Sequence, residues 1–367
     1  MTDEIQQRKA DHLRMAAAAS VESGRSAGFA DVHLLHSALP EVDLDEVDTS
    51  TELLGRRLRL PLVISAMTGG HDEGGRVNAV LGRAAERFGI AMGIGSQRAA
   101  LIDPALRGTY AVTRERAPTA FLVANIGATQ LVGQRDSEPI TPDEVRGLLA
   151  TIRADALAVH LNPLQELVQT EGQRDARGHL DAIRALAASL DVPVIAKETG
   201  GGMRADVARA LAGAGVAAID VGGVGGTSFA AIEALRAEER GDERGVRLGT
   251  LLRDWGIPTV VSIGLAHEAG IPVIATGGIR SGLDAAKAIA MGATAVGVAR
   301  PLLQAALEGD DAVATWIERF AEELRAAMFL TGAPDVPALR AQRPVVVGET
   351  AAWLAAARSA AQDGGQR

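Results

Sequence analysis

The chain has 367 residues, a formal net charge of −9, 47% hydrophobic and 3% aromatic residues, and no cysteine. That length suffices for one large α/β domain or two smaller ones, and the missing cysteine excludes disulfides, thiolate metal sites and a cysteine nucleophile. The acidic balance and the scarcity of aromatic rings argue against a nucleic-acid surface. No uncharged apolar run reaches membrane-spanning length, and the charged N-terminus lacks a signal peptide's apolar core. The expectation is a soluble, cytoplasmic protein.

Residues 1–60 read as an N-terminal extension. It has helical character over 5–20, a small flexible stretch over 22–30, many carboxylates over 41–48 and a Leu-rich bridge over 53–60. From Pro61 a rhythm begins. Short apolar runs at 62–66, 90–94, 121–125, 157–160, 194–196, 216–221, 271–276 and 293–299 each end in polar or glycine residues. Helical spacing fills intervals such as 75–88, 143–153, 180–189 and 204–214. Eight strands alternating with helices predict an α/β fold, a closed (β/α)8 TIM barrel over 61–332. A Rossmann fold would show GxGxxG after its first strand, and that string is missing there. The stretch 222–257 is long for a barrel loop and charged over 238–247, so it reads as a mobile lid or a disordered excursion. A helix over 310–329 and a C-terminal tail over 333–367, composed to fray from 360, lie outside the barrel.

In such a barrel, side chains at the C-terminal ends of the strands share one mouth. Here they are Thr68, Ser96, Arg98, Asn125, His160, Asn162, Gln165, Glu166, Lys197, Thr227 and Ser228. Glu166, one carboxylate among amide donors, suits Mg2+, which takes few protein ligands; an isolated loop Glu is otherwise merely solvated. Arg98 and His160 suit a phosphate as cations, although Arg98 also fits a surface ion pair. Lys197 ends a fully apolar strand, as a Schiff-base nucleophile or as a cation beside an anionic cofactor. Gly277-Gly278 and the string GGVGGTS at 222–228 follow neighbouring strands. Such loops let a phosphate approach backbone N–H groups closely. A phosphate gripped at strands six to eight, with polar groups around the rest of the mouth, is what bound FMN needs. Arg8-Lys9 reads as a mobile basic clamp or as a solvated charge pair.

The strings FADVHLLHSALPEVDLDEVDTSTELLG (29–55), PLVISAMTGG (61–70), GSQR (95–98), HLNPLQE (160–166), KETGGGM (197–203), DVGGVGGTSF (220–229) and TGGIRSGLDAAKAIAMGA (276–293) follow Arg8-Lys9 and His12-Leu13 in order. In these the chain resembles the type 2 isopentenyl-diphosphate isomerases, flavin-dependent enzymes of isoprenoid synthesis. HLNxxQE and the Arg-Lys pair are the specific parts. The resemblance implies interconversion of isopentenyl and dimethylallyl diphosphate by protonation and deprotonation. Reduced FMN is the acid/base group, Mg2+ sits on the diphosphate, and NAD(P)H reduces the flavin. It implies flavin contacts from Ala66, Met67, Thr68, Ser96, Asn125, Lys197 and Thr227. Gly277, Gly278, Ile279, Ala299 and Arg300 are to hold the flavin phosphate. Arg8, Lys9, Ser96, Gln97, Arg98, His160 and Gln165 are to bind the diphosphate, and Glu166 the Mg2+. Lys197, His160 and Gln165 then support the reduced flavin in catalysis. A homo-oligomer, tetramer or octamer, is also implied, with no nucleic-acid or membrane partner. The chain departs from the family's pattern at Thr276 (commonly Ser), at Gly222-Gly223 (Ser-Gly) and at Phe229 (often Trp). A 2-hydroxy acid oxidase would instead show a late His base with an Arg clamp, and His267 has no adjacent Arg. A phosphate-binding module without catalysis gives no reason for Arg8-Lys9 and Gln165-Glu166. IMP dehydrogenase and GMP reductase use a thiolate that this chain lacks.

Overall fold

Continuous apolar runs form strands that are buried on both faces, and a parallel barrel is where such strands belong. In the computed structural model, which describes residues 2–18, 20–134 and 137–364, all eight runs become strands. They are β1 (Leu62–Ile64), β2 (Ala91–Gly93), β3 (Leu122–Gly127), β4 (Ala156–Leu161), β5 (Val194–Glu198), β6 (Ala218–Asp220), β7 (Val273–Thr276) and β8 (Ala295–Val298). They are parallel, and β8 pairs back onto β1 to close the barrel.

Alternation along each strand splits the core in two. Val63, Ala91, Val123, Ala158, Ile195, Ala218, Ile274 and Ala295 fill the interior. Leu62, Ile64, Leu122, Val159 and Val296 face the surrounding helices. The many interior alanines keep the barrel's lumen narrow. What the sequence offers as a Leu-rich bridge is a hairpin, Thr51–Leu53 paired with Arg56–Leu58. Its two turn residues, Leu54 and Gly55, have φ of 51° and 78°, the left-handed pair that suits a two-residue hairpin turn. Leu53 and Leu58 join the interior cluster and plug the barrel.

The two ends of the chain meet. Val32–His33 pairs antiparallel with Val345–Val346, and the Asp31 carboxylate accepts the backbone N–H of Thr350 at 2.9 Å, at the start of the last helix, Gly348–Gly364. The expected fraying from 360 bears partly on 365–367, which lie outside the described residues. Helix α1 (Thr2–Ala18) carries the Arg8-Lys9 pair.

The stretch 222–257 is neither a disordered excursion nor an open lid. It folds into α2 (Phe229–Glu239) and α3 (Glu243–Leu251). Ser228 caps α2 and Asp242 caps α3 by accepting backbone N–H groups. The charged run is therefore the turn of a helical hairpin. Gly249 lets the two helices touch, since a Cβ there would lie 2.5 Å from the Ala230 carbonyl oxygen.

The helix Gly282–Ala290 lies against the long helix Asp310–Leu330 through Gly282, where a Cβ would come within 2.2 Å of the Phe320 carbonyl oxygen and 2.3 Å of the Leu324 nitrogen. Overpacking against backbone cannot relax cheaply, so Gly282→Ala is expected to destabilise the fold by about 1–3 kcal/mol. Urea unfolding measures this, and an unchanged midpoint contradicts the contact.

Candidate functional site

One cavity opens at the C-terminal ends of the strands, and its walls differ in chemistry. At the β6–β8 side two glycine loops interlock. Gly277 and Gly278 have φ of 118° and 71°. A Cβ at Gly277 would lie 2.2 Å from the Gly223 carbonyl oxygen, and one at Gly226 would lie 2.7 Å from the Gly278 nitrogen. Backbone packs on backbone, which only glycine permits, and the amides that remain line the cavity. Arg280 and Arg300 stand at the same end. Glu22 bridges them, its Oε1 lying 2.6 Å from Arg280 Nη2 and 3.1 Å from Arg300 Nη1. Below the loops the Ser65 and Thr276 hydroxyls are buried without a partner among the described residues. Ala66, Met67, Val298 and Ala299 supply an apolar wall beside them. An amide-rich, cationic end, an apolar wall and unspent hydroxyls fit the phosphate and the ring system of FMN.

Lys197 and Asp220 sit in register on β5 and β6. Both are buried, and Lys197 Nζ lies 2.8 Å from Asp220 Oδ2. This ion pair suits the second of the two sequence readings of Lys197, a cation beside an anionic cofactor. Glu198 turns to the loop after β5, where its Oε2 accepts the N–H groups of Gly200, Gly201 and Gly202 at 2.6, 2.6 and 3.0 Å. Burial pushes this carboxyl up to about 7 against those three bonds.

Across the mouth the groups are cationic or amide. Burial, with Lys197 and Lys9 nearby, lowers His160 to about 3, so its imidazole is neutral at ordinary pH. Its Nδ1 lies 2.8 Å from Asn125 Oδ1. Asn125 Oδ1 only accepts, so Nδ1 carries the one proton of the neutral ring and Nε2 is left as an acceptor, which suits an anion only once it is protonated. Arg98 donates to Gln173 Oε1 at 3.3 Å, and burial and Arg8 press against its charge while Glu166 supports it. Arg8 reaches the side-chain oxygen of Gln169 at 2.8 Å. Lys9 donates to the Ser96 carbonyl oxygen at 2.7 Å. Arg8-Lys9 is thus part of the cavity rather than a solvated pair.

Glu166 accepts from Asn162 Nδ2 at 3.0 Å and from the Gln173 N–H at 2.7 Å. No group of three or more His, Asp or Glu able to hold a metal occurs among the described residues. A divalent ion would draw one carboxylate from this chain and the rest of its shell from water and a ligand, which fits Mg2+. Gln165 donates to Glu233 Oε1 at 3.1 Å and accepts from Asn162 at 3.1 Å. Glu233 is buried; it also meets His12 Nε2 at 2.8 Å and Arg236 Nη1 at 2.5 Å. Burial alone would raise its carboxyl, but His12, Arg236 and Gln165 outweigh burial and hold it at about 2.

Ala66, Met67, Thr68, Ser96, Asn125, Thr227, Ile279, Ala299 and the other expected residues line this cavity with two exceptions, Ser228 and Gln97; Ser228 is turned to α2, which it caps, and donates to the Arg253 carbonyl. Gln97 is fully buried behind the wall; its Nε2 donates to the Leu148 carbonyl and its Oε1 accepts the Asn125 N–H. It braces β3 and does not face a ligand. Sequence reasoning missed Asp220, Glu233 and Tyr110. Asp220 was within reach, because it ends the strand next to Lys197 with the opposite charge. Glu233 lies inside the stretch expected to be a lid and gives no local signal.

The FMN-dependent dehydrogenase family model matches residues 138–345. The chain is 48% identical over 355 residues to isopentenyl-diphosphate delta-isomerase of Methanosarcina barkeri, covering 96% of this chain and 95% of that one. It is 51% identical over 346 residues to the enzyme of that name from Methanoregula boonei, covering 94% of each. Among solved structures, a mandelate oxidase variant with a C4a-OH-FMN adduct superposes with a TM-score of 0.62 at 24% identity, covering 94% of this chain and 99% of that one. A lactate oxidase of Pediococcus acidilactici gives 0.66 at 16% identity, covering 95% and 94%. These two likenesses show the fold alone. No helix among the described residues is long and apolar enough to cross a membrane.

Removing one partner of a buried ion pair strands the other charge, at a cost of about 3–5 kcal/mol. Asp220→Ala is expected to destabilise the flavin-free protein by that amount in urea, and Asp220→Leu with Lys197→Met to recover most of it. A loss below about 1 kcal/mol for the single variant would contradict the buried pair.

Proposed function

The chain belongs to the type 2, FMN-dependent isopentenyl-diphosphate delta-isomerases, and we propose that its cavity holds FMN against the glycine loops and the substrate diphosphate against the opposite wall. One observation carries the reading: a single cavity has two separate anion-binding ends, the loop amides with Arg300 at one and Arg8, Lys9 and Arg98 at the other. A 2-hydroxy acid oxidase on this barrel has no use for the second end.

Isomerisation requires a proton to be added to an unactivated alkene and another removed from the allylic carbon. Reduced FMN, when bound, supplies the acid/base group for both transfers. The chain's residues position the reactants around it. Gly277, Gly278, Ile279, Ala299 and Arg300 would hold the flavin phosphate, and Ala66, Met67, Thr68, Ser96, Asn125 and Thr227 would contact the ring system. Lys197, fixed by Asp220, would supply positive charge to a reduced flavin, which carries negative charge. Arg8, Lys9 and Arg98 would neutralise the diphosphate, and His160 would donate to it with Nε2 protonated, a state that a bound diphosphate favours. Glu166 would ligate Mg2+, which shields the diphosphate charge. Gln165, held between Asn162 and Glu233, presents an amide near the substrate. NAD(P)H would serve as the external reductant, and the resemblance alone supports that part; a cytoplasmic setting rests on the charged N-terminal segment and the lack of a membrane-length apolar run.

The deciding experiment assays isopentenyl diphosphate turnover with FMN and Mg2+ under anaerobic reduction. Activity is expected only with reduced flavin; equal turnover with oxidised flavin and no reductant would sink the proposal. Glu166→Gln is expected to raise the Mg2+ concentration for half-maximal turnover by about tenfold or more, with FMN affinity unchanged. An unchanged Mg2+ requirement removes Glu166 from the metal.

A further inference from the structure

Tyr110 is the chain's only tyrosine, is fully buried, and serves no step described so far. It stands on the helix Gly108–Arg116, between β2 and β3. Its hydroxyl lies 2.8 Å from the Ser96 carbonyl oxygen and 3.0 Å from Lys9 Nζ. Lys9 Nζ lies 2.7 Å from the same carbonyl oxygen. A carbonyl only accepts, so the phenol donates to Ser96 and its lone pair accepts an N–H from Lys9. The ammonium is also 5.5 Å from the ring centroid, within cation–π range.

The ring braces the turn after β1 as well. A Cβ on Gly69 would lie 2.2 Å from the ring, and one on Gly70 would lie 2.8 Å from the hydroxyl and 3.1 Å from Lys9 Cδ. Both glycines have left-handed φ, 136° and 83°. The turn that follows the flavin-side Thr68, the substrate-side Ser96 and the N-terminal helix therefore meet on one phenol.

We propose that Tyr110 is a positioning residue that aims Lys9 at the substrate diphosphate. The inference rests on the reading of the cationic wall as the diphosphate site. It adds the group that orders one cation of this wall, a lysine brought in by a helix from outside the barrel.

The surroundings of Lys9 give the interaction a pH signature. It faces Arg8 on α1, His71 ahead of the helix Asp72–Phe88, His160 on β4 and Tyr110. No carboxylate pairs with it among the described residues. Burial first, then Arg8, bring Lys9 down to about 7, while burial keeps the phenol protonated. Near neutrality the free enzyme is thus a mixture of ammonium and amine. A diphosphate favours the ammonium, so KM rises as pH rises through about 7. Without the phenol oxygen the ammonium loses an acceptor, Lys9 falls further, and the inflection moves to lower pH.

The test is a double-mutant cycle on the FMN-loaded enzyme with isopentenyl diphosphate, using Tyr110→Phe, Lys9→Met and the pair. Tyr110→Phe is expected to raise KM at neutral pH by about tenfold, the scale of a hydrogen bond to a charged group, with kcat changed less than about twofold. Its KM inflection should lie at lower pH than in the parent, and FMN affinity of the flavin-free protein should not change. In the Lys9→Met background the same substitution should leave KM alone. An equal KM effect in both backgrounds, an unmoved inflection, or a Tyr110→Phe protein that loses FMN or fails to fold would overturn the assignment, because the hydroxyl would then act through the fold. Lys9→Met with unchanged KM would instead remove the diphosphate reading, and this assignment with it.

Discussion

The buried carboxylate of Glu233 is a central tie between the N-terminal helix and the barrel, beside Gln165 and the cationic wall of the cavity. Three groups from three elements converge on it: His12 from α1, Gln165 from the short helix Pro163–Val168 that replaces the loop expected after β4, and Arg236 from its own helix. A carboxylate so placed is costly to bury unless every partner is present. Once satisfied, it locks the geometry of all three. The same helix is held at its far end by Arg300 Nε and Gln304 Nε2, which donate to the Ala16 and Ala17 carbonyls at 2.8 and 3.0 Å. Those carbonyls end the helix, where positive charge is favourable. Arg300 thus serves the phosphate end of the cavity and the seating of α1 together. The linkage has a definite sign: Glu233 titrates at about 2 in the fold, below its ordinary 4.5. The contribution is whole above that ordinary value and disappears as pH falls toward 2.

The two ends of the cavity are built on different principles. The cofactor end is backbone: glycine loops in contact with each other after adjacent strands, with little freedom to change. The substrate end is side chain, gathered from α1, β2, β4 and the short helix that follows it. A fold can therefore keep one end and exchange the other. That is why a likeness to lactate and mandelate oxidases covers nearly the whole chain without carrying their chemistry. Fold similarity fixes the barrel alone; in the proposed reading Arg98, His160, Gln165, Glu166 and the N-terminal pair distinguish the substrate end.

What the sequence made legible follows from burial. The barrel strands lie between two apolar layers, so each reads as an unbroken apolar run and none was missed. The mouth was legible because strand ends fix position, and the cavity gathers residues that lie far apart in the chain. Gln97 misled because it sits inside a matching string; Ser96 and Arg98 face the cavity while the residue between them is turned away. The helical hairpin over α2 and α3 was hidden by its charged turn, and Glu233 with it. Its role depends on which face of α2 meets α1, and no local spacing encodes that. Tyr110 escaped for a related reason: its helix lies between two strands, and only the fold brings it under Lys9.

The protonation states in the cavity bear on the chemistry as a set. Asp220 is spent on Lys197, Glu233 on His12 and Arg236, Glu198 on three backbone N–H groups, and Glu166 on Asn162 and the Gln173 amide. His160 is neutral and far too weak a base to compete, having been driven down to about 3. Among the described residues Glu198, its carboxyl raised to about 7, is the wall carboxylate that takes a proton most readily near neutrality, and its three backbone N–H partners fix it in the loop after β5. In the proposed reading Arg8, Lys9 and Arg98 would hold the substrate by its diphosphate. Glu198 and Lys9, both drawn to about 7, are the wall groups that change protonation near neutrality, whereas the apolar strip of Ala66, Met67, Val298 and Ala299 carries no titratable group. In the proposed reading the flavin supplies the acid/base group over that strip.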